Sequence, residues 1–387
     1  MRASTRSNIP PFHAMEVLRL ANELEASGRD ILHLEIGEPS RRSPARVIEA
    51  AQHALANEAL GYTEALGTPA LRERIAQHYE AIYGVDVEPR RIIVTLGSSG
   101  GFLFALLGAF EQGDRVALAN PCYPGYRNSL SALGITPVIL PAGPETRYQL
   151  TVELLQAQAD TLAGLIIASP SNPAGTMIPD AEFEKIVGYC WEKGIALISD
   201  EVYHGITYSQ KAQTAIAFTN DVIVVNGFSK YYAMTGWRLG WMIVPDEMVG
   251  VVERLAQNMF VSPSSLAQQA ALVAFDCLDE LDAEVERYAH NRRILLEGLP
   301  AVGIEHLAPA DGAFYVYADI AGLADDSQEF CQRMLMDIGV ATTPGIDFDQ
   351  ATGHRYVRFS FAGATADLEQ AVERLRSWKG LGRRDTA

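Results

Sequence analysis

Lys230 follows a run of four β-branched residues, Val-Ile-Val-Val at 222–225, and a short turn sequence that ends in Ser229. Arg238 lies eight residues further on. Such a run is typical of a buried strand, so the pattern predicts an amine at a strand end, beside a hydroxyl and a guanidinium group that both suit a phosphate. This chemistry is that of a Schiff-base lysine that holds a phosphorylated cofactor. A single lysine after a strand is more often solvated, so other segments must support this interpretation.

Other polar segments also follow predicted strands, which is where open α/β sheets bind ligands. Asp200 leaves the strand at 195–198, and its carboxylate suits a protonated ring nitrogen such as that of pyridoxal phosphate. Tyr203 lies three residues on, within reach of a ring oxygen. Asn172 stands in a proline-rich turn that could aim its amide as a donor, and Tyr123 follows a further strand and could stack on an aromatic cofactor. Taken singly, each has a plainer interpretation as a turn, a surface acid or a core residue.

A glycine-rich segment, Gly-Ser-Ser-Gly-Gly at 97–101, separates a predicted strand from an apolar helix. Glycines let the backbone approach a phosphate, and a helix N-terminus supplies oriented N–H groups, so Ser98, Ser99 and Gly100 are candidate phosphate contacts. The same residues match the G-x-S-x-G elbow of a serine hydrolase, with Ser99 as the nucleophile. Because that fold carries its oxyanion-hole loop on an earlier strand, and we expect no strand before Arg91, the hydrolase is the weaker interpretation.

Arg358 is a candidate ligand for a substrate carboxylate. It alternates with the apolar Val357 and Phe359 along the predicted strand 356–361. We therefore expect its guanidinium fork to point away from the hydrophobic face, where it suits a bidentate carboxylate. A surface ion pair is the plainer alternative.

The chain of 387 residues is long enough for two domains. Seven short apolar runs between residues 92 and 244 alternate with helical stretches, which predicts an α/β fold with a mostly parallel central sheet covered on both faces. A long helix at about 281–299 leads into a smaller α+β unit that also uses the N-terminal segment. We expect an N-terminal arm and part of the small domain at 1–45, a large cofactor-binding domain at 46–285 and a small C-terminal domain at 286–387.

Composition argues against several classes of protein. A formal net charge of -17 without a basic run disfavours nucleic acid and anionic membranes as partners. The four cysteines form no CxxC pair, so we expect neither a metal site nor a disulfide framework, and a cytoplasmic location. The longest apolar run, near 102–110, is too short to span a bilayer.

These motifs, in this order, resemble the fold type I pyridoxal-phosphate enzymes, and specifically the class I/II aminotransferase family, over about residues 8–375. The resemblance implies pyridoxal 5'-phosphate as the cofactor and transfer of an amino group between an α-amino acid and a 2-oxo acid. It implies that Lys230 forms the aldimine and carries the proton, and that Asp200 is the partner of the pyridine nitrogen. Tyr203 and Asn172 match the family's donors to the ring oxygen.

The resemblance also assigns the remaining contacts. The family's phosphate contacts match Ser98, Ser99, Ser229 and Arg238. Its ring-stacking aromatic residue matches Tyr123. Residues 61–63 look like the family segment whose tyrosine, here Tyr62, reaches the phosphate of the neighbouring subunit. Residues 34–39 resemble the segment whose glycine, here Gly37, meets the substrate carboxylate beside Arg358. A homodimer with shared active sites is therefore implied.

Substrate identity stays open at this point. Gln257 stands where the dicarboxylate-specific branch of the family has an arginine, and an amide cannot neutralise a second carboxylate. Aromatic and aliphatic residues near the expected entrance favour a neutral or hydrophobic donor, although three other arginines could replace the missing one: Arg41, Arg42 and Arg127. A lyase, decarboxylase or synthase of the same fold would use the same cofactor contacts. A non-catalytic ligand sensor is the remaining alternative, although the N-terminus carries no DNA-binding module and the chain is acidic.

Overall fold

Short apolar runs in the middle of the chain form strands, as the sequence predicts. The computed structural model describes residues 2–158 and 161–381, so residues 1, 159–160 and 382–387 of the expected domains lie outside the described residues. The strands are β1 Leu32–His33, β2 Ile92–Thr95, β3 Arg115–Asn120, β4 Thr136–Pro141, β5 Gly164–Ala168, β6 Ala196–Asp200, β7 Ile223–Gly227, β8 Gly240–Ile243, β9 His306–Leu307, β10 Tyr315–Asp319, β11 Val340–Ala341, β12 Thr343–Pro344 and β13 Tyr356–Ser360.

The helices cover the sheets and connect their strands. They are α1 His13–Ala26, α2 Ala45–Asn57, α3 Pro69–Tyr83, α4 Gly97–Ala109, α5 Pro124–Leu133, α6 Val152–Gln156, α7 Asp180–Lys193, α8 Asp246–Met259, α9 Ser265–Leu272, α10 Leu278–Ala301, α11 Ser327–Ile338 and α12 Thr365–Ser377. Although α10 has 24 residues, none of the helices in the described part of the chain is long and apolar enough to cross a membrane.

The large sheet has the order β2-β8-β7-β6-β5-β3-β4 within the described residues. Strands β3 to β7 run parallel, and β8 is antiparallel to both of its neighbours, β7 and β2. It follows that β2 points the same way as β3 to β7, so the carboxyl ends of these strands meet at one edge. Leu165 and Leu197 pack on one face of this sheet, and Ile166 and Ile198 on the other. The predicted α/β class with a mostly parallel, doubly covered sheet is confirmed.

A smaller unit is built from both ends of the chain. An antiparallel sheet of order β12-β13-β10-β9 lies beside a parallel pair made by β1 and β11. The expectation that no strand precedes Arg91 was wrong, because Leu32 pairs with Val340. This strand has only two residues and forms only through a partner from the far end of the chain. The domain limits stay a prediction, and α10 continues through the expected boundary at residue 285.

Candidate active site

A cavity of about 320 Å³ opens at the carboxyl edge of the large sheet, against the smaller unit. The sequence-predicted residues that line it are Gly37, Ser98, Ser99, Tyr123, Asn172, Asp200, Tyr203, Ser229, Lys230, Arg238 and Arg358. Apolar side chains complete the wall, among them Phe12, Met15 and Ile36. Two predicted residues do not line it: Gly100 is buried in the first turn of α4, and Tyr62 is 88% exposed elsewhere on the surface.

Lys230 lies just beyond the end of β7, with its amine directed into the cavity. The Nζ atom donates to the carbonyl oxygen of Gly37 at 2.6 Å and lies 5.9 Å from the ring centroid of Tyr203. Burial, with help from the positive charge of Arg358, lowers the pKa of this amine from 10.5 to about 8. At pH 7 roughly a tenth of the amine is therefore neutral, against about 0.03% for an ordinary lysine. Lys230 is thus prepared to act as a nucleophile and as a base.

Asp200 is the last residue of β6 and is buried, with an exposed fraction of 6%. One carboxylate oxygen accepts from the backbone N–H of Val202 at 3.0 Å, and the other accepts from the hydroxyl of Tyr126. Burial raises the pKa of Asp200 to about 6, so the group is mostly ionised at pH 7. A buried carboxylate of this kind suits a positively charged partner, such as a protonated ring nitrogen.

Arg358 is buried, with an exposed fraction of 2%. Its Nη1 donates to Oδ1 of Asn172 at 2.9 Å, and its Nη2 donates to the carbonyl oxygen of Glu35 at 2.5 Å and to the hydroxyl of Thr343 at 3.1 Å. Its Nε has no hydrogen-bond partner among the described residues. The surface ion pair considered above is therefore excluded. Strand β13 is covered on both faces, and Arg358 points from it into the cavity.

The glycine-rich segment and Arg238 form a cradle for an anion. Gly97, at φ +66°, begins α4, and a Cβ added there would lie 2.6 Å from Nη2 of Arg238. The guanidinium group therefore lies directly over the N-terminus of α4, where backbone N–H groups and the helix dipole favour negative charge. Ser99 lies within this first helical turn and is not a residue of positive φ, unlike the strained serine of a hydrolase elbow. Its position suits a phosphate contact instead.

Together these groups match the parts of pyridoxal 5'-phosphate. The amine of Lys230 suits its aldehyde, the carboxylate of Asp200 suits its ring nitrogen, and the cradle at Arg238 suits its phosphate. Tyr123 offers an aromatic face on the cavity wall. Asn172 keeps its amide nitrogen for the cavity, because its oxygen already accepts from Arg358. The residues present fit this cofactor.

Two tyrosines of the cavity, Tyr126 and Tyr315, received no role from the sequence. Tyr126 lies in the first turn of α5, three residues after the N-cap residue Tyr123, and the two ring centroids are 5.4 Å apart, so this spacing could have signalled it. The hydroxyl of Tyr315 lies 2.7 Å from that of Tyr203. Tyr315 comes from β10 of the smaller unit, and no local pattern points to this contact.

A second polar network supports the turn that carries Asn172. The Nε2 atom of His204 lies 3.0 Å from the carbonyl oxygen of Ser169, which can only accept, so Nε2 carries the proton. Its Nδ1 then accepts from the hydroxyl of Tyr83 at 2.8 Å. Burial lowers the pKa of His204 to about 3, so the ring is neutral. The approach of Glu201 Oε2 to Nδ1, at 3.5 Å, is therefore not an ion pair.

Comparison with known proteins shows which protein family has this fold and this site. Residues 29–375 match the family model for aminotransferase class I and II. The chain is 48% identical to the valine–pyruvate aminotransferase of Mycobacterium tuberculosis, over 97% of this chain and 98% of that protein. It is 37% identical to the (5-formylfuran-3-yl)methyl phosphate transaminase of Methanocaldococcus jannaschii, over 96% and 97%. A crystal structure of an aminotransferase from Mycobacterium tuberculosis matches with a TM-score of 0.96 at 48% identity, over 98% of this chain and 99% of that one.

The chain therefore belongs to the class I and II aminotransferase family. It has the fold type I architecture and is an enzyme that transfers amino groups. Members of this family in general depend on pyridoxal phosphate.

Proposed function

We propose that this aminotransferase uses pyridoxal 5'-phosphate at Lys230 to move the amino group of a neutral aliphatic α-amino acid to a 2-oxo acid. One observation carries the proposal. The amine of Lys230, the carboxylate of Asp200 and the guanidinium group of Arg358 converge on a single cavity whose remaining wall is largely apolar.

The cofactor, when bound, supplies an electron sink for the charge that develops at the substrate α-carbon. Lys230 Nζ would carry the proton between the substrate α-carbon and the bound cofactor, which its lowered pKa permits near neutral pH. Asp200, held by Tyr126, provides the negative charge beside the ring nitrogen. Arg238, the N-terminus of α4 and the hydroxyls of Ser98, Ser99 and Ser229 bind the phosphate group.

Arg358 and Asn172, beside Gly37, bind the substrate carboxylate in this proposal. Nη1 of Arg358 has a second N–H besides the one that it gives to Asn172, and the amide nitrogen of Asn172 is a further donor. Their burial makes the contact strong, because a carboxylate there replaces water with fixed donors.

The side chain of the substrate would meet apolar groups. A second carboxylate would need a cation, and the three arginines considered for this role lie elsewhere. Arg41 pairs with Glu280, Arg42 is exposed outside the cavity, and Arg127 donates to the carbonyl oxygen of Asp347 at 3.2 Å. Gln257 lies on α8, with its amide near Glu253. The 48% sequence identity to a valine–pyruvate aminotransferase also supports a neutral aliphatic amino acid as the substrate.

A homodimer with shared sites is part of the proposal. Tyr62 is 88% exposed and does not line the cavity of its own chain. An exposed aromatic side chain on a segment that resembles the family's crossing segment is available to a second subunit.

The test is a comparison of kcat/KM for valine, alanine and aspartate with the cofactor-loaded enzyme. We expect valine to exceed aspartate by at least tenfold, equivalent to about 1.4 kcal/mol. A tenfold preference for aspartate would contradict the proposal. Arg42→Ala is the control, because this arginine lies outside the cavity. The variant should keep the ratio, and a selective loss of aspartate turnover would show that Arg42 replaces the missing arginine.

A further inference from the structure

Tyr315 contacts two residues of the cavity that have different assigned roles, Tyr203 and Arg358. Its side chain is almost fully buried, its hydroxyl lies 2.7 Å from that of Tyr203, and its ring centroid lies 4.4 Å from the guanidinium carbon of Arg358. Tyr315, from the smaller unit, thus contacts both Tyr203, which is assigned to the cofactor, and Arg358, which is assigned to the substrate. The geometry combines a hydrogen bond in the ring plane with a cation–π contact on the ring face.

Gly37 provides the space for this hydroxyl. A Cβ added to Gly37 would lie 1.7 Å from the hydroxyl oxygen of Tyr315. The carbonyl oxygen of the same glycine accepts from Lys230 Nζ at 2.6 Å. The phenol of Tyr315 is therefore pressed against the backbone that holds the reactive amine, so its position is fixed on two sides.

The hydrogen bond between the two tyrosines has a direction that matters for Tyr203. Each hydroxyl carries one proton, so Tyr203 can donate either to Tyr315 or to an acceptor in the cavity. If Tyr315 donates to Tyr203, the proton of Tyr203 is free for the cavity. A hydroxyl that accepts a hydrogen bond is also a stronger donor, because the bonds polarise one another.

We propose that Tyr315 is a positioning residue. Its hydroxyl donates to Tyr203, so that Tyr203 donates to the cofactor's ring oxygen, and its ring holds Arg358 toward the substrate carboxylate. The proposal rests on the roles given to Tyr203 and Arg358 under the proposed function. It separates two contributions of one side chain, and these can be removed one at a time.

Tyr315→Phe removes the hydroxyl and keeps the ring. Loss of the donor weakens the hold of Tyr203 on the negatively charged ring oxygen. The pKa of the Lys230–cofactor linkage, read from the pH dependence of its absorbance, should therefore rise by about half a unit. Tyr315→Leu removes the ring as well and should also raise the dissociation constant of 3-methylbutanoate, an unreactive carboxylate, by about fivefold. Tyr315→Phe should leave that constant unchanged.

Tyr317→Phe is the matched control. Tyr317 lies two residues further along β10 on the same face, is equally buried, and its hydroxyl has no hydrogen-bond partner among the described residues. Its ring stacks on Tyr356 at 4.7 Å, outside the cavity. This variant should show the parent's spectral pKa and affinity for 3-methylbutanoate.

Two results would overturn the proposal. One is a spectral pKa in Tyr315→Phe equal to that of the parent and of Tyr317→Phe. The other is an unchanged affinity for 3-methylbutanoate in a folded Tyr315→Leu, with melting temperatures checking that each variant folds. Failure of the proposed function looks different, because the parent itself would then show no absorbance from a linkage at Lys230.

Discussion

Arg358 donates to Asn172 through an Nη1 to Oδ1 hydrogen bond of 2.9 Å, and this bond joins the smaller unit to the turn after β5 of the large sheet. Its direction is fixed, since a guanidinium group has no acceptor. Asn172 must therefore turn its amide nitrogen away from Arg358. The same bond thus orients both the amide nitrogen of Asn172, assigned to the cofactor, and the guanidinium group of Arg358, assigned to the substrate.

Arg358→Lys should raise KM for the amino acid about 100-fold, with a smaller effect on kcat. A lysine presents one point charge and cannot hold Glu35, Thr343 and Asn172 while also binding a carboxylate as a fork. Steady-state kinetics check this, and the affinity for pyridoxal phosphate should change far less, because the phosphate cradle at Arg238 and α4 is untouched. Arg355→Lys is the control, since Arg355 pairs with Asp319 in an exposed ion pair. Equal effects of the two substitutions would contradict the role of Arg358.

Asp200→Asn should retain the cofactor and lower the single-turnover rate by at least about 100-fold. A neutral amide cannot stabilise a positive ring nitrogen, whereas the contacts at Arg238 and α4 still hold the phosphate. Rapid mixing with valine measures the rate, and the absorbance of the bound cofactor confirms its retention. A rate within a few-fold of the parent's would show that Asp200 is not the partner of the nitrogen.

Glu201 should make the stability of the cofactor-free enzyme depend on pH. Burial raises its pKa from 4.5 to about 8, although three hydrogen-bond donors, among them the backbone N–H of Ala215 at 2.8 Å, favour the charged form. Between these values the folded chain binds a proton that the unfolded chain has released. Its contribution to stability is therefore complete below about pH 4.5 and is lost as the pH rises toward 8.

Glu201→Gln removes this titration. The melting temperature of the variant minus that of the parent should increase by about 2 °C or more between pH 5 and pH 8.5. Differential scanning calorimetry on the cofactor-free proteins checks the sign. Glu286→Gln, at an exposed acid of α10, should show no such trend. A difference that falls with pH would contradict a protonated Glu201.

Most of the site could be predicted from the sequence because its signals are local. A β-branched run marks a strand, and a polar residue directly after it marks the sheet edge where ligands bind, which located Lys230, Asp200 and Asn172. Tyr315 could not be found in this way, since its role depends on contacts with Tyr203 and Gly37, far away in the chain. The two-residue strand β1 was not predicted for the same reason, because it forms only by pairing with β11, far away in the chain.

Tyr62 should act in the neighbouring subunit. Tyr62→Phe should weaken cofactor binding by about tenfold through loss of a hydrogen bond to a charged group. Excess Lys230→Ala, mixed in under conditions of subunit exchange, should restore the parent's affinity at the remaining Lys230 sites, because each such site then receives Tyr62 from its partner. Titration of the absorbance with pyridoxal phosphate measures this. A monomeric, fully active protein in light scattering, or no recovery on mixing, would contradict the shared site.

The most direct test of the account is the location of the covalent cofactor adduct. The cofactor-loaded enzyme is reduced with borohydride, digested and analysed by mass spectrometry, with Lys230→Ala as the control. We predict one adduct, on Lys230, because this amine alone combines burial, a pKa near 8 and a place in the cavity among the lysines the structure describes. Lys230→Ala should give no adduct and no turnover. An adduct on Lys185, Lys193 or Lys211 in the parent would contradict the account.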